Sequence, residues 1–460
     1  MLKFYILLII ILVNSSIYAQ LNRSDKGYKY FSEKKYNEAI NYWESKISSE
    51  DENYKLKAKF LIALSHKKLA SLYLLASFTV PKIESIYYNL LLKKTNVNKS
   101  ILHLYNSLTL AETGKYKSAL GELKKVKKSR VGPKHRELIR IVAKYLLYRI
   151  SNKKNNNSPY YLNLLNSVFN ANELNSYKNK NLMKFQKLKI EFIQHILKNN
   201  KKQIFKIYST IERNSINYND VSKSGREIRF YDPNIYSLLI YYHLVNAEKY
   251  FMSVNQSANP KILKNADKQL AEIYFLLNKQ EYLKKLSIKY PDDEAIKAYA
   301  VLTNIFYSNG TPDQIEKIIK KPRLRAKMGY YLCMFNVYQK RGISLIDNAF
   351  KQNSSSEIKY YEGFALSLQN KAEEVNKAEE ILSTIYTKSW TTDFKKNSPE
   401  EALLYSYCLF KKSPQNSCPE SIGIGWLLAG TYKPFMQYHN ALQGICLFYS
   451  TLGNGDIKLQ

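Results

Sequence analysis

Apolar residues recur at three- and four-residue intervals in nearly every segment of this chain longer than ten residues, and strict alternation is scarce. That rhythm puts side chains on one face of a helix, so helices with one buried face dominate what the chain can form. With 15 Gly and 12 Pro in 460 residues, turn residues are too few for a many-stranded all-β sandwich or barrel. The pattern predicts helices near 22–48, 53–79, 82–93, 98–113, 116–129, 133–151, 158–171, 177–213, 234–254 and 261–289. It predicts more near 293–308, 312–320, 323–351, 355–387 and 398–411. After Pro419 the chain turns unusually apolar, and a terminal helix over Tyr438 to Leu452 is suited to covering the last hairpin. The sharper alternative for this section is a partner-binding or self-association surface.

GYKYFSEKKYNEAINYW, residues 27–43, shows how such helices pair. Gly27 and Ala39 leave room where two antiparallel helices cross, Tyr30 and Tyr36 fill the space beside them, and Trp43 closes the far end. A polar link at Glu33 to Lys35 lets the chain reverse. One such pair leaves apolar surface uncovered and must stack on another. The stretch resembles the tetratricopeptide repeat, through Gly27, Tyr30, Tyr36, Ala39 and Trp43. A second copy carries Ser107, Leu110, Gly114, Tyr116, Ala119 and Leu123 in the same order and ends at Pro133. Arg23 stands where the family has an early Trp, the first copy has no closing Pro, and later segments are degenerate. The resemblance implies an all-α solenoid of stacked antiparallel hairpins. It further implies a concave groove lined by first helices, with candidates near Arg23 to Tyr30 and His103 to Leu110.

Composition shifts divide the chain into 1–19, 20–152, 158–290 and 291–460. A polar loop is expected at 214–234, and SNKKNNNSP marks the first boundary. MLKFYILLIIILVNSSIYAQ has one Lys, a short apolar run and a small residue at Ala19, the layout of a secretory signal peptide. An uncleaved anchor is the alternative. No transmembrane span is expected in the mature chain. Export makes disulfides available, and of the four cysteines Cys408 and Cys418, flanking a polar turn, are the expected pair.

The formal charge of +33 comes with Lys far outnumbering Arg and with 40 Tyr, a bias spread along the chain. Nucleic acid is disfavoured, because such a site concentrates basic residues and stacking rings in one module. The densest basic run is Lys124, Lys125, Lys127, Lys128, Arg130, Lys134 and Arg136, with no acid among them. It is either a solvated helix end or a patch for an anionic partner or surface. A second run at 198–206 is suited to extending it.

The histidines are scattered, no metal-ligand spacing occurs, and neither phosphate-binding loops nor nucleophile elbows are present. No cofactor and no catalytic or metal residue is expected. The leading expectation is a non-enzymatic scaffold that holds other envelope proteins in the bacterial periplasm or cell envelope. The combination of export signal, repeats and biased composition also resembles the collar proteins of periplasmic flagella. Alternatives are an envelope enzyme or cell-wall-acting factor with a helical-repeat domain, and a basic binder of anionic polymers.

Overall fold

A computed structural model describes residues 25–93, 98–151, 191, 216–221, 227–231, 235–254, 259–308, 310–369, 371–386 and 397–452. The signal peptide, the helices expected at 158–171 and 177–213, and the second basic run lie outside the described residues. These residues form eighteen α-helices and one β-hairpin, an all-α fold in which neighbours in sequence pack as hairpins.

The expected helix over 22–48 is two helices, which reverse at the polar link Glu33 to Lys35 as the hairpin reading requires. α1 (Lys26–Ser32) and α2 (Tyr36–Lys46) are separated by a turn at Lys34, whose φ is 61°. Asp25 caps the start of α1, accepting from the Tyr28 N–H (2.9 Å), and ties it to α2 through Trp43 Nε1 (3.1 Å) and to Tyr54, whose hydroxyl donates to it (2.9 Å). α3 (Glu52–Leu92) runs 41 residues, about 60 Å at 1.5 Å per residue. The break expected at residues 80–81 does not occur. Pro81 costs α3 one hydrogen bond, to the Ser77 carbonyl, and the buried flanks from Leu72 to Val80 and from Ile83 to Leu91 hold the helix through it.

α4 (Lys99–Glu112) and α5 (Tyr116–Lys124) meet at Gly114, whose φ of 77° suits a residue without Cβ. A 3-10 turn at Lys128–Arg130 leads into α6 (Pro133–Ser151). The polar loop expected at 214–234 instead carries an antiparallel hairpin. β1 (Ile216–Val221) and β2 (Glu227–Tyr231) pair Tyr218 with Phe230 and Asn219 with Arg229. Period-two alternation in INYN and in EIRF is the signal that the helical rhythm around them obscured.

The remainder is a stack: α7 (Ile235–Val254), α8 (Pro260–Leu276), α9 (Gln280–Lys289), α10 (Glu294–Tyr307), α11 (Asp313–Ile318) and α12 (Pro322–Met334), then α13 (Gln339–Gln352), α14 (Ser356–Ser367), α15 (Ala372–Ser383), α16 (Pro399–Lys412), α17 (Cys418–Thr431) and α18 (Met436–Leu452). Two long expected helices, 261–289 and 323–351, split at Asn278 and at Asn336 with Tyr338, all left-handed. Asn tolerates that conformation better than most residues and commonly ends a helix.

The stack closes on itself around α3. α7 lies along α3, α18 packs beside them, and Gly444 of α18 lies so close to the Tyr87 ring that a Cβ would overlap it. The Tyr432 hydroxyl donates to the Lys34 carbonyl, joining positions 398 apart in sequence, and the Tyr236 hydroxyl donates to the Pro434 carbonyl at 3.0 Å. The three stretches delimited in sequence share one apolar cluster. The expected Cys408–Cys418 bridge is absent; Cys418 is joined to Cys446, with Cα atoms 5.8 Å apart. Cys408 is enclosed on the buried face of α16, whereas the antiparallel α17 and α18 bring the other two thiols together.

Candidate functional site

Helices α8, α10, α12, α14 and α16 are the first helices of successive hairpins. Each touches the next, so that together they make one continuous face of the stack. α3 of the same chain lies against that face. Near one end, Glu272 of α8 takes up the contacts that join them. Its Oε2 meets Lys67 of α3 (2.6 Å), Lys327 of α12 (2.8 Å) and the Tyr299 hydroxyl of α10 (2.8 Å), while Oε1 accepts from the Tyr331 hydroxyl (2.5 Å). Lys67 also donates to Gln269 Oε1 at 2.5 Å. Burial alone would push the Glu272 carboxyl up, but the two ammonium groups outweigh it and hold the group well below its usual range. Beneath lies a cluster of rings, Phe275, Phe306, Tyr331 and Phe335, packed edge-to-face or stacked.

Further along, Tyr330 packs on Phe364, and Phe364 packs on Phe78 of α3 with ring centres 5.2 Å apart. The Tyr361 hydroxyl donates to Glu357 at 3.0 Å. At the α1–α2 turn, burial pushes the Glu400 carboxyl up and the Lys34 ammonium down, with Lys68 acting on both.

On its opposite side α3 meets α7 through His66 and His243, whose Nδ1 atoms are 2.9 Å apart. The histidines looked scattered in sequence; helix packing joins two of them across 177 positions. Both are fully enclosed, so burial drives their pKa values down, that of His66 to about 3. A neutral imidazole donating to a neutral imidazole is the arrangement this distance demands.

These groups fasten helices. Glu272 has its oxygens saturated by four side-chain donors, and the His66–His243 bond is internal. Burial raises the Cys333 and Cys408 thiols to about 12, away from the reactive thiolate. Among the described residues no group of three or more His, Cys, Asp or Glu converges as a metal site would require. No described helix is long and apolar enough to cross a membrane.

The repeat-packing residues fall at helix contacts. Tyr36, Ala39, Trp43, Ala119 and Leu123 are buried, as are Gly27 and Ser107, while Tyr30, Leu110 and Tyr116 are partly covered. The Ser107 hydroxyl donates to the Ala119 carbonyl at 2.7 Å, so that small pair does meet. Gly27 differs from expectation: the space it leaves is taken by the Trp43 indole and Tyr42, not by Ala39. His103 of the expected groove instead pairs with Glu122 of α5 at 2.8 Å.

The basic run forms a fixed corner between α5 and α6. Val126 and Val131 are buried beneath it, the Lys127 N–H donates to Ser100 Oγ (3.2 Å), and Asn98 Nδ2 donates to the Arg130 carbonyl (3.1 Å). Lys124, Lys125, Lys127, Lys128, Arg130, Lys134 and Arg136 are all exposed on it. Lys125 pairs with Glu122 at 2.5 Å; the other six meet no carboxylate among the described residues.

Sequence reasoning missed Glu272, Lys67 and Lys327. The available signal was a carboxylate inside the apolar run LAEIYFLL, where an acid needs a buried partner. Nothing local said which lysines supply it. No protein-family model matches this chain, and no curated protein matches it in sequence.

Proposed function

We propose that this chain is a non-enzymatic scaffold of the bacterial cell envelope that docks an acidic protein partner on its outer surface, at the corner between α5 and α6. The observation that carries this reading is the corner: six exposed cations that meet no carboxylate among the described residues, on backbone anchored by Val126, Val131, Ser100 and Asn98. Cations on a fixed turn are already arranged for a partner, so docking them costs little ordering. The face made by the first helices, where stacks of this kind commonly dock a partner, is contacted here by α3 at α8, α14 and α16, which favours outer surfaces for partners. The Cys418–Cys446 disulfide suits an oxidising compartment and so supports export.

The test is cross-linking and affinity purification from intact cells, with the natural chain and with Lys124→Glu/Lys128→Glu/Arg130→Glu/Lys134→Glu. A stoichiometric acidic protein should accompany the natural chain and be lost from the variant, while circular dichroism and melting temperature stay the same. Recovery of lipid or glycan alone, or of the same protein with both chains, overturns the reading.

A further inference from the structure

Between Ser421 and Leu452 the chain carries one charged side chain, Lys433, although 24% of its residues are charged overall. These residues make up the last hairpin, α17 and α18, whose inner sides pack on α16 and α3. Burial accounts for the inner rows: Ile424 and Leu428 of α17, and Tyr438 and Ile445 of α18, are enclosed and have no use for charge. The outer rows have no such reason. Pro419, Trp426 and Gly430 of α17, and Gln443, Leu447 and Ser450 of α18, are exposed, and none is charged. Helical spacing sets both rows on the side away from α16 and α3. Trp426 is 57% exposed and Leu447 53%. A Cβ on Gly430, one turn beyond Trp426, would meet nothing within 4 Å, so the surface beside the indole is open. The hairpin itself is fixed, because Cys418 is joined to Cys446 and a Cβ on Gly425 would lie 3.2 Å from Leu442. A charge-depleted surface with a large ring at its centre has the composition of an interface core.

We propose that this outer face of α17 and α18 is where two copies of the chain associate about a two-fold axis. Charge selects a second copy as the occupant. Each chain carries +33, so two copies repel where their lysines face each other, and a neutral face lets them meet. An acidic protein or an anionic bilayer is drawn to lysines, which the outer rows lack. The face is also complementary to itself, as a two-fold contact requires. Glu420 lies six residues before Trp426, and Lys433 seven after it. Antiparallel α17 helices meeting at Trp426 therefore bring each Glu420 to the level of Lys433 of the second copy. Glu420 also faces the Tyr405 hydroxyl, and a carboxylate accepts from more than one donor. Helices of 14 and 17 residues side by side present a face of about 20 by 20 Å. Two such faces bury about 1,000 Å² in total, the lower end for a specific contact, so the dimer is reversible. It is separate from the basic corner and stands whatever docks there.

The test is sedimentation equilibrium of the full mature chain, from low micromolar to several hundred micromolar, with circular dichroism confirming that each variant is folded. The natural chain should show a monomer–dimer equilibrium that strengthens as salt is raised, because salt screens the repulsion between two basic chains. Docking of an acidic partner would weaken with salt instead. Trp426→Ala removes an exposed ring and should raise the dimer Kd at least about tenfold without lowering helix content. Lys433→Glu sets like charges across the axis and should weaken association about tenfold, and Glu420→Lys/Lys433→Glu should restore it. A monomer at every concentration, a dimer indifferent to Trp426→Ala, or a double variant no better than Lys433→Glu would each overturn the proposal. So would a chain that stays monomeric but sediments with anionic phospholipid vesicles through Trp426.

Discussion

Gly27 and Gly121 show how one missing methyl group can matter in opposite senses. A Cβ on Gly27 would overlap the Trp43 indole, whereas one on Gly121, exposed in α5, meets nothing within 4 Å. Gly27→Ala should therefore destabilise by about 1–3 kcal/mol through overpacking. Gly121→Ala should stabilise by about 0.5–1 kcal/mol, since Ala restricts the unfolded chain and favours helix. Urea midpoints of the two variants check the contrast. Glu272→Gln would leave two buried ammonium groups without a charge partner and should cost about 3–5 kcal/mol. Because the folded-state pKa of Glu272 is depressed, its contribution is complete above the ordinary carboxylate range and is lost as pH falls below it. Gly27 was legible in sequence because its neighbours are local. The partners of Glu272 were not, since they lie 205 residues before it and 27 to 59 after it.

At the level of elements, α3 and α7 depend on keeping two imidazoles neutral. The rings of Tyr73, Tyr242 and Tyr250 surround the pair, and Lys249 adds a positive charge that further disfavours protonation. The folded-state pKa of His66 is about 3 against 6.5 in the unfolded chain, and that of His243 is lowered too. As pH falls from 6.5 toward 3 the unfolded chain takes up protons that the fold excludes. Stability should fall over that window by about 1.4 kcal/mol per pH unit for each imidazole. Urea unfolding at pH 7 and pH 5 measures the slope, and His66→Leu/His243→Leu should flatten it. At the other end of the chain, reducing Cys418–Cys446 releases a constraint spanning 28 residues, worth about 3–4 kcal/mol by loop closure. Differential alkylation with mass spectrometry should show Cys333 and Cys408 modified only after unfolding, and Cys418 and Cys446 only after reduction. The helical rhythm revealed nearly all of these elements. It could not say that α3 passes through Pro81, because burial by α4, α7, α16 and α18 makes up for the lost hydrogen bond.

For the molecule as a whole, the consequence is that the chain lays one of its own helices, α3, against the row of first helices. α3 is buried by helices drawn from both halves of the chain, so its amides should open only with global unfolding. Hydrogen exchange should therefore find residues 58–76 among the slowest of the described residues, with α6 faster. An open solenoid with an empty groove would instead show protection falling toward its ends, as expected where each repeat contacts only its neighbours.

The sequence by itself determined the fold class, most helices, the small residues that let hairpins close, and the basic run between α5 and α6. All of these rest on interactions within a few turns of chain, which periodicity and residue size report directly. Only the tertiary structure decided that α3 lies against the row of first helices, that Glu272 is shared by two lysines, that His66 meets His243, and that Cys446 rather than Cys408 bridges Cys418. Each of those joins segments far apart in sequence, whose relative placement accumulates from small rotations at every helix contact that no single segment encodes.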